Sequence, residues 1–415
     1  MSEVQGSGAA HSRSGAAALV GALGITQTIA WASSTYLPAI LATPIAHDLG
    51  VSRATVFGAF SVALLVMAAA GPAAGRAIDA RGGRGVLLLS NLVLAAGLAL
   101  LACAQEVWLL FAAWCVIGAG MALGLYDAAF AVLVRIYGNE ARRPITGITL
   151  IAGFASTVGW PLTAYLEAHI GWRGTCLIWA ALHVLVALPL NWRFIPVLSR
   201  VGVSPAHAPG VAASPAAATA TESAAARRTF WCLAVFSSVT AFVTSAMAAH
   251  LPGLLAAMGA GAAAAVMAAA LLGPAQVAAR FAEFAAANRW HFHPLFSARL
   301  ATALHPLGAM LLIFVGGPPL VAAMFAILHG AGNGMITIAK GTLPLALFGS
   351  AGYGQRQGYL AAGARLMQAS APYVFGLLLE ARGGAAALML SAGLSVLALG
   401  ALALVTTGPV RPDTR

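Results

Sequence analysis

Apolar runs of about twenty residues, nearly free of charge, alternate along this chain with short connectors that carry arginine. A helix needs about 20 such residues to cross a hydrocarbon layer of roughly 30 Å. The pattern predicts twelve crossings, at 16–42, 54–76, 85–104, 107–134, 145–168, 174–195, 229–257, 262–285, 296–316, 319–343, 358–379 and 385–407. Because a helix satisfies its own backbone inside a bilayer, the expected class is an all-α integral membrane protein.

One stretch breaks the rhythm. Residues 196–228 are rich in Pro, Ala, Ser and Thr, show no apolar periodicity and read as a flexible cytoplasmic linker. They leave an N-terminal six-helix bundle at 16–195 and a C-terminal one at 229–407, with cytoplasmic tails at 1–15 and 408–415. The halves echo each other. Gly71-Pro72-Ala73 returns as Gly273-Pro274-Ala275, and a shift of about 211 positions puts Gly147 on Gly358 and Pro161 on Pro372. Paired six-helix halves are the arrangement in which one bundle rocks against the other around a midplane site.

Composition removes other classes. Charged residues make up 8% of the chain and hydrophobic ones 60%, against roughly 25% charged in a soluble domain. The net charge of +11 does not point to nucleic acid, since no basic run is interleaved with aromatics. It points to topology: with both termini inside, about eighteen basic residues fall on the cytoplasmic side and three on the other, as the positive-inside rule requires. The expected location is the cell inner (cytoplasmic) membrane. Cys103, Cys115, Cys176 and Cys232 lack CxxC spacing and signal neither a disulfide framework nor a metal site. GxGxxG, P-loop, HExxH and GxSxG patterns are absent, so the sequence predicts neither an enzyme nor a cofactor.

Between the second and third crossings stands Gly75-Arg76-Ala77-Ile78-Asp79-Ala80-Arg81-Gly82-Gly83-Arg84, which fits GxxxDxxGxR. This resembles the loop signature of the major facilitator superfamily (MFS), and the likeness covers essentially the whole chain, with the subfamily unresolved. The resemblance implies a secondary active transporter that works by alternating access. It also implies that Gly75, Asp79, Gly82 and Arg84 lock the cytoplasmic gate by engaging the eleventh helix. The residue types suit the place: Gly75 allows close approach of a neighbouring helix, Gly82 allows a tight turn, and Asp79 can accept from backbone N–H groups or an Arg. Gly171-Trp172-Arg173 after the fifth crossing is similar to the GWR found there in the family. Trp114 stands where many proton-coupled exporters carry Arg, and Trp160 interrupts the family's antiporter pattern of spaced glycines ending in GP.

Ionisable groups inside a bilayer are costly and usually face a cavity or a partner. Asp127 in the fourth crossing and Arg365 in the eleventh are the deepest, each about seven residues from the cytoplasmic end, or roughly 10 Å. Two readings stay open: they pair across the halves and couple transport to protonation or anion binding, or Asp127 pairs with a motif arginine such as Arg84. Arg280 and Glu283, three apart, are expected to form a local pair, with coupling through Glu283 as the alternative. Polar stripes at helical spacing mark Gln27, Trp31 and Thr35 in the first crossing, Ser237, Thr240 and Thr244 in the seventh, and His329, Asn333 and Thr337 in the tenth. Back-bonding or interhelical packing is the plain alternative for the Ser and Thr positions. His329 and His250 are further candidates for proton coupling.

The functional expectation is proton-coupled movement of a small organic anion, suggested by Arg365 and the scarcity of acidic residues. An exporter of amphipathic drugs or toxic compounds is one alternative, and a transporter-fold membrane sensor or receptor is another. The expected partners are the small-molecule substrate, protons and the lipid bilayer, with no nucleic acid and with function as a monomer.

Overall fold

The computed structural model describes residues 3–197, 215–290 and 292–405. Fifteen α-helices follow in order: α1(Glu3–Ser33), α2(Leu37–Asp48), α3(Arg53–Arg81), α4(Arg84–Ala102), α5(Val107–Gly124), α6(Tyr126–Tyr137), α7(Arg142–Ala152), α8(Ala155–Leu182), α9(Leu188–Phe194), α10(Pro215–Ala257), α11(Ala262–Ala270), α12(Leu272–Trp290), α13(Pro294–Val315), α14(Pro319–Phe348) and α15(Tyr353–Ala403). Among the described residues no strand occurs. Among the described residues, nine continuous helical stretches are long and apolar enough to cross a membrane. Val107–Phe194 contains three crossings and Tyr353–Ala403 contains two, which gives the expected twelve.

The helix ends follow from local chemistry. Ser52 starts α3 by accepting from the Thr55 amide at 3.1 Å, a side-chain cap for an otherwise unpaired donor. Proline opens α13 and α14, where its missing N–H costs nothing. Glycines with positive φ turn the chain at matched places in the two halves: Gly138 (57°) and Gly349 (71°), Gly171 (70°) and Gly383 (78°), Gly50 (63°) and Gly259 (97°). Gly171 and Gly383 each divide one long helical run into two crossings. The repeat seen weakly in side chains is therefore also present in the backbone.

Several expected helices are broken. The fourth crossing splits at Leu125, which is extended (φ −77°, ψ −174°), so Asp127 lies in the first turn of α6 rather than in mid-helix. The fifth splits between Ala152 and Ala155, and the eighth at Leu271. Of the expected linker, 198–214 lies outside the described residues, while 215–228 continues α10 as helix. The expected tail at 408–415 also lies outside them, and α1 begins at Glu3, inside the expected N-terminal tail.

Close packing by small residues holds the helices together. One core cluster joins Leu41, Leu98, Trp114 and Trp179 in the first six crossings. Two others lie in the last six, around Phe325 and Phe375 and around Phe236 and Leu343. A fourth cluster, around Phe130 and Ile145, takes in Leu345 and Tyr353 from the second half. That cluster sits towards the end of the bundle where the Gly82–Gly83 turn lies, here termed the loop face, and it closes the seam there.

Candidate functional site

Along the seam at the loop face, α3 meets the start of α15 at backbone distance. A Cβ on Gly75 would stand 2.0 Å from the Gly354 carbonyl oxygen, and one on Gly358 would stand 2.7 Å from that of Gly71. Glycines four apart on each helix thus form two facing GxxxG strips, Gly71/Gly75 and Gly354/Gly358, with backbones in contact. Asp79, one turn further along α3, accepts from the amides of Gly354 (3.0 Å) and Gln355 (2.9 Å). These are orphan donors at an N-terminus whose dipole favours an anion. Gly82 (φ 79°) then ends α3. Arg84 takes another role: its guanidinium lies over the Trp192 ring, 5.6 Å from the centroid, within the first half. Asp79, not Arg84, makes the contact across the seam.

Deeper in the seam, the structure brings Asp127 and Arg365 together. One carboxylate oxygen of Asp127 meets Arg365 Nη2 at 3.1 Å, and the other accepts from Gln357 Nε2 at 3.1 Å. Arg365 also donates to Gln368 Oε1 at 2.6 Å. The side chains are 14% and 21% exposed for Arg365 and Asp127, so the pair is shielded and worth more than a surface contact. The carboxylate belongs to the first half and both of its partners to the second. Beside the pair is a gap lined by Met67, Gly71, Ala122 and Ala361, with room for about one water.

Two further cations lie in the bundle, contrary to the expectation that Arg365 is the one deep cation. Lys340 is expected at the cytoplasmic margin, but α14 runs on to Phe348. It therefore stands more than two turns inside the helix, half-buried. Arg280 is 6% exposed and does not pair with Glu283. It reaches the broken fifth crossing, donating to Thr149 O at 3.2 Å, and contacts Gly334 O (3.4 Å), Gln276 Oε1 (3.3 Å) and Thr337 Oγ1 (3.4 Å). Every one of these partners is neutral. Glu283, 5% exposed, makes no ion pair with Arg280, and its Oε2 lacks a partner.

The stripe on the first crossing has unmet polar atoms. Gln27 donates to Gly124 O at 2.6 Å, tying the first crossing to the break in the fourth, and its Oε1 is buried without a partner. Trp31 Nε1 and Thr35 Oγ1 are likewise buried and unpaired. Trp31 packs on Tyr126 (5.0 Å between ring centroids) and Tyr36 (6.1 Å); Tyr126 stacks on Phe130 (5.2 Å), and Tyr36 meets Trp160 edge-on (5.6 Å). Sequence spacing alone could not assemble this ladder.

The other candidates are structural in their contacts. Thr244 donates to Asn333 Oδ1 at 2.8 Å, linking the seventh and tenth crossings. Thr240 back-bonds to Phe236 O at 2.7 Å. His329 faces the ninth crossing, its ring stacked on His305 at 4.3 Å. His250 meets the Pro372 carbonyl at 2.7 Å. A histidine missed in the sequence, His183, joins three crossings of the first half through Ser33 (2.8 Å) and Asn91 (3.1 Å). Among the described residues no group of His, Cys, Asp and Glu could hold a metal ion.

Twelve crossings in two sets of six, with facing glycine strips and a charged pair in the seam between them, define a membrane transporter architecture. A family model described as the Major Facilitator Superfamily matches residues 23–338, and the chain belongs to that family. Its structural neighbours are transporters, not enzymes. FucP in its outward conformation aligns with a TM-score of 0.71 at 14% identity, covering 93% of this chain and 98% of that one. The proton:xylose symporter XylE gives 0.69 at 12%, covering 92% and 94%. The human organic anion transporter MFSD10 gives 0.61 at 17%, covering 93% and 98%. Among curated relatives, the transcription regulatory protein OpdE of Pseudomonas aeruginosa is 32% identical over 191 residues, 43% of each chain. An uncharacterized 38 kDa protein of Thermoproteus tenax is 31% identical over 169 residues, 41% of this chain and 44% of its own. The matches thus span less than half the length of these curated relatives.

Proposed function

We propose that this protein is a secondary active transporter of small organic anions that works by alternating access, coupled to protons, as a monomer in the cytoplasmic membrane. The positive-inside imbalance supports a cytoplasmic loop face, which makes the structure closed to the cytoplasm. The observation that carries the reading is the ion pair split across the seam, Asp127 on one half and Arg365 on the other at 3.1 Å.

Rocking the halves apart separates these charges, and a charge left alone in a shielded site is unfavourable by several kcal/mol. A proton on Asp127 and an anion beside Arg365 remove that penalty, so the switch is favoured when both are bound. Arg280, which is buried, and Lys340 and Arg365, which are half-buried, outnumber the carboxylates Asp127 and Glu283 within the described bundle, which favours an anionic over a cationic solute. The human organic anion transporter among the neighbours agrees with that choice.

Purified protein in proteoliposomes tests the reading. A proton gradient should drive accumulation of a radiolabelled monocarboxylate mixture, and Asp127→Asn should abolish the gradient dependence. Uptake of amphipathic cations in place of carboxylates would favour an exporter of drugs or toxic compounds. A second class, a transporter-fold sensor, draws on the description of the Pseudomonas relative as a regulatory protein; ligand binding without flux would support it.

A further inference from the structure

We infer that the solute's carboxylate binds at the break in the fifth crossing, on the Arg280 guanidinium and the first-turn amides of α8, and that its arrival releases a contact between the two halves. The inference rests on the anion-transporter reading and adds a subsite apart from the Asp127–Arg365 pair. Two observations meet at one place. The first is a cation: Arg280 is 6% exposed, and among the described residues it makes no ion pair. Its acceptors Thr149 O, Gly334 O, Gln276 Oε1 and Thr337 Oγ1 are neutral and stand at 3.2–3.4 Å, longer than the about 2.7–2.9 Å of a charge-assisted bond to a carboxylate. A buried cation held in this way is costly until an anion joins it.

The second observation is the break itself. α7 ends at Ala152 and α8 begins at Ala155, with Phe154 as a cap residue that supplies no side-chain hydrogen bond. First-turn amides have no intrahelical acceptor, and the positive end of the helix dipole lies with them. Arg280 packs directly against this break: its Nη1 stands 2.6 Å from where a Cβ on Gly153 would be and 3.2 Å from Thr149 O. A buried guanidinium beside a helix N-terminus offers donors to an anion from two sides. Counting back from Trp290 at the loop-face end of α12 puts Arg280 roughly 15 Å deep, half of a layer about 30 Å thick. Thr149 belongs to the first half and Arg280 to the second, so their bond is a tether across the seam. An ionised acceptor binds guanidinium hydrogens about twice as strongly as a neutral one, so a carboxylate takes them from the Thr149 carbonyl. A neutral solute of the same shape leaves the tether in place.

Two measurements on the full-length detergent-solubilised protein test this, with propionate and its neutral amide, propionamide, as probes. Calorimetry reads affinity. Spin labels on Arg143→Cys and Arg289→Cys, exposed positions near the loop-face ends of α7 and α12, read the seam in a background with the native cysteines replaced. Propionate should bind at least tenfold more tightly than propionamide and lengthen the distance between the labels, and propionamide should leave that distance unchanged. Arg280→Gln should weaken propionate at least tenfold and show the longer distance without any solute, and Arg280→Lys should restore part of the affinity. Equal affinity of the wild type for the two probes overturns the subsite, as does a propionate response in Arg280→Gln equal to that of the wild type, or one lost in Arg365→Gln but kept in Arg280→Gln. If Arg280→Gln fails to fold, Gly153→Ala decides, since its methyl stands against Nη1 and should weaken propionate; unchanged affinity overturns the subsite. Proton-driven carboxylate uptake in proteoliposomes reports separately on the transporter reading, which stands if uptake persists while Arg280→Gln binds propionate as the wild type does.

Discussion

Replacing Gly75 with alanine adds one methyl group where the backbone of Gly354 already stands. Its Cβ would lie 2.0 Å from the Gly354 oxygen, 2.4 Å from the carbonyl carbon and 3.0 Å from the Gln355 nitrogen. None of these is a flexible side-chain tip that could move aside. Reaching ordinary contact requires α3 and α15 to separate by roughly an ångström, which also stretches the Asp79 bonds to Gly354 and Gln355. Overpacking of this kind costs about 1–3 kcal/mol, a shift of roughly 5- to 150-fold in a two-state equilibrium. The penalty falls only on the state in which the loop face is closed. In a background with the native cysteines replaced, a cysteine at Ala361, beside the gap in the seam, should react correspondingly faster with a water-soluble thiol reagent. Gly85, where an added methyl would meet nothing within 4 Å, provides the control, and Gly85→Ala should leave the rate unchanged. If Gly75→Ala labels at the wild-type rate while remaining folded, the glycine strips do not set the conformational balance.

Asp79→Asn keeps its size but gives up charge-assisted acceptance from two amides, each worth about 1.5–3 kcal/mol when one partner is ionised; opening at Ala361 should increase, and unchanged labelling would refute the latch. Asp127→Asn, the neutral counterpart of the protonated acid, removes the charge that holds Arg365 across the seam, so the loop face should open more readily in a spin-label distance measurement; an unchanged distance distribution would refute the role given to the pair. His293, outside the crossings, has its pKa held below the ordinary 6.5 by burial, Arg142 and Arg299, and its Nδ1 accepts from the Leu295 amide to start α13. Because the folded value is depressed, this stabilisation is complete above 6.5 and is lost as pH falls through the folded value. The protection of the Leu295 amide, measured relative to its intrinsic exchange rate at each pH, should therefore fall on acidification, and His293→Ala should remove that change in protection.

Much of the architecture was legible because membrane crossing imposes a length and a composition on every helix. The close approach at Gly75, the turn at Gly82 and the amide contacts of Asp79 could be read from the residue types, since each depends on backbone geometry or a local charge. Asp127 and Arg365 could be matched in depth by counting from the loop face. Partners across the interface were less accessible. The three-residue spacing of Arg280 and Glu283 suggests a mutual bond, yet Arg280 finds its acceptors on the fifth and tenth crossings instead. Lys340 looks marginal when hydropathy ends the tenth crossing at 343, whereas α14 continues to Phe348. His329 and His305 are far apart in sequence and meet only through the turn joining α13 to α14. The break at Leu125 had a signal in Gly124, which leaves room for the Ser90 hydroxyl against the backbone.

The receiving side of the Asp79 latch is made of peptide groups, not side chains. Mutation can alter the Gln355 side chain freely without deleting the atoms that Asp79 holds, provided that the helix still begins there. Only the acidic residue and the small residues around it are exposed to evolutionary loss. Side-chain changes along the opposite wall can therefore leave these two amide contacts intact.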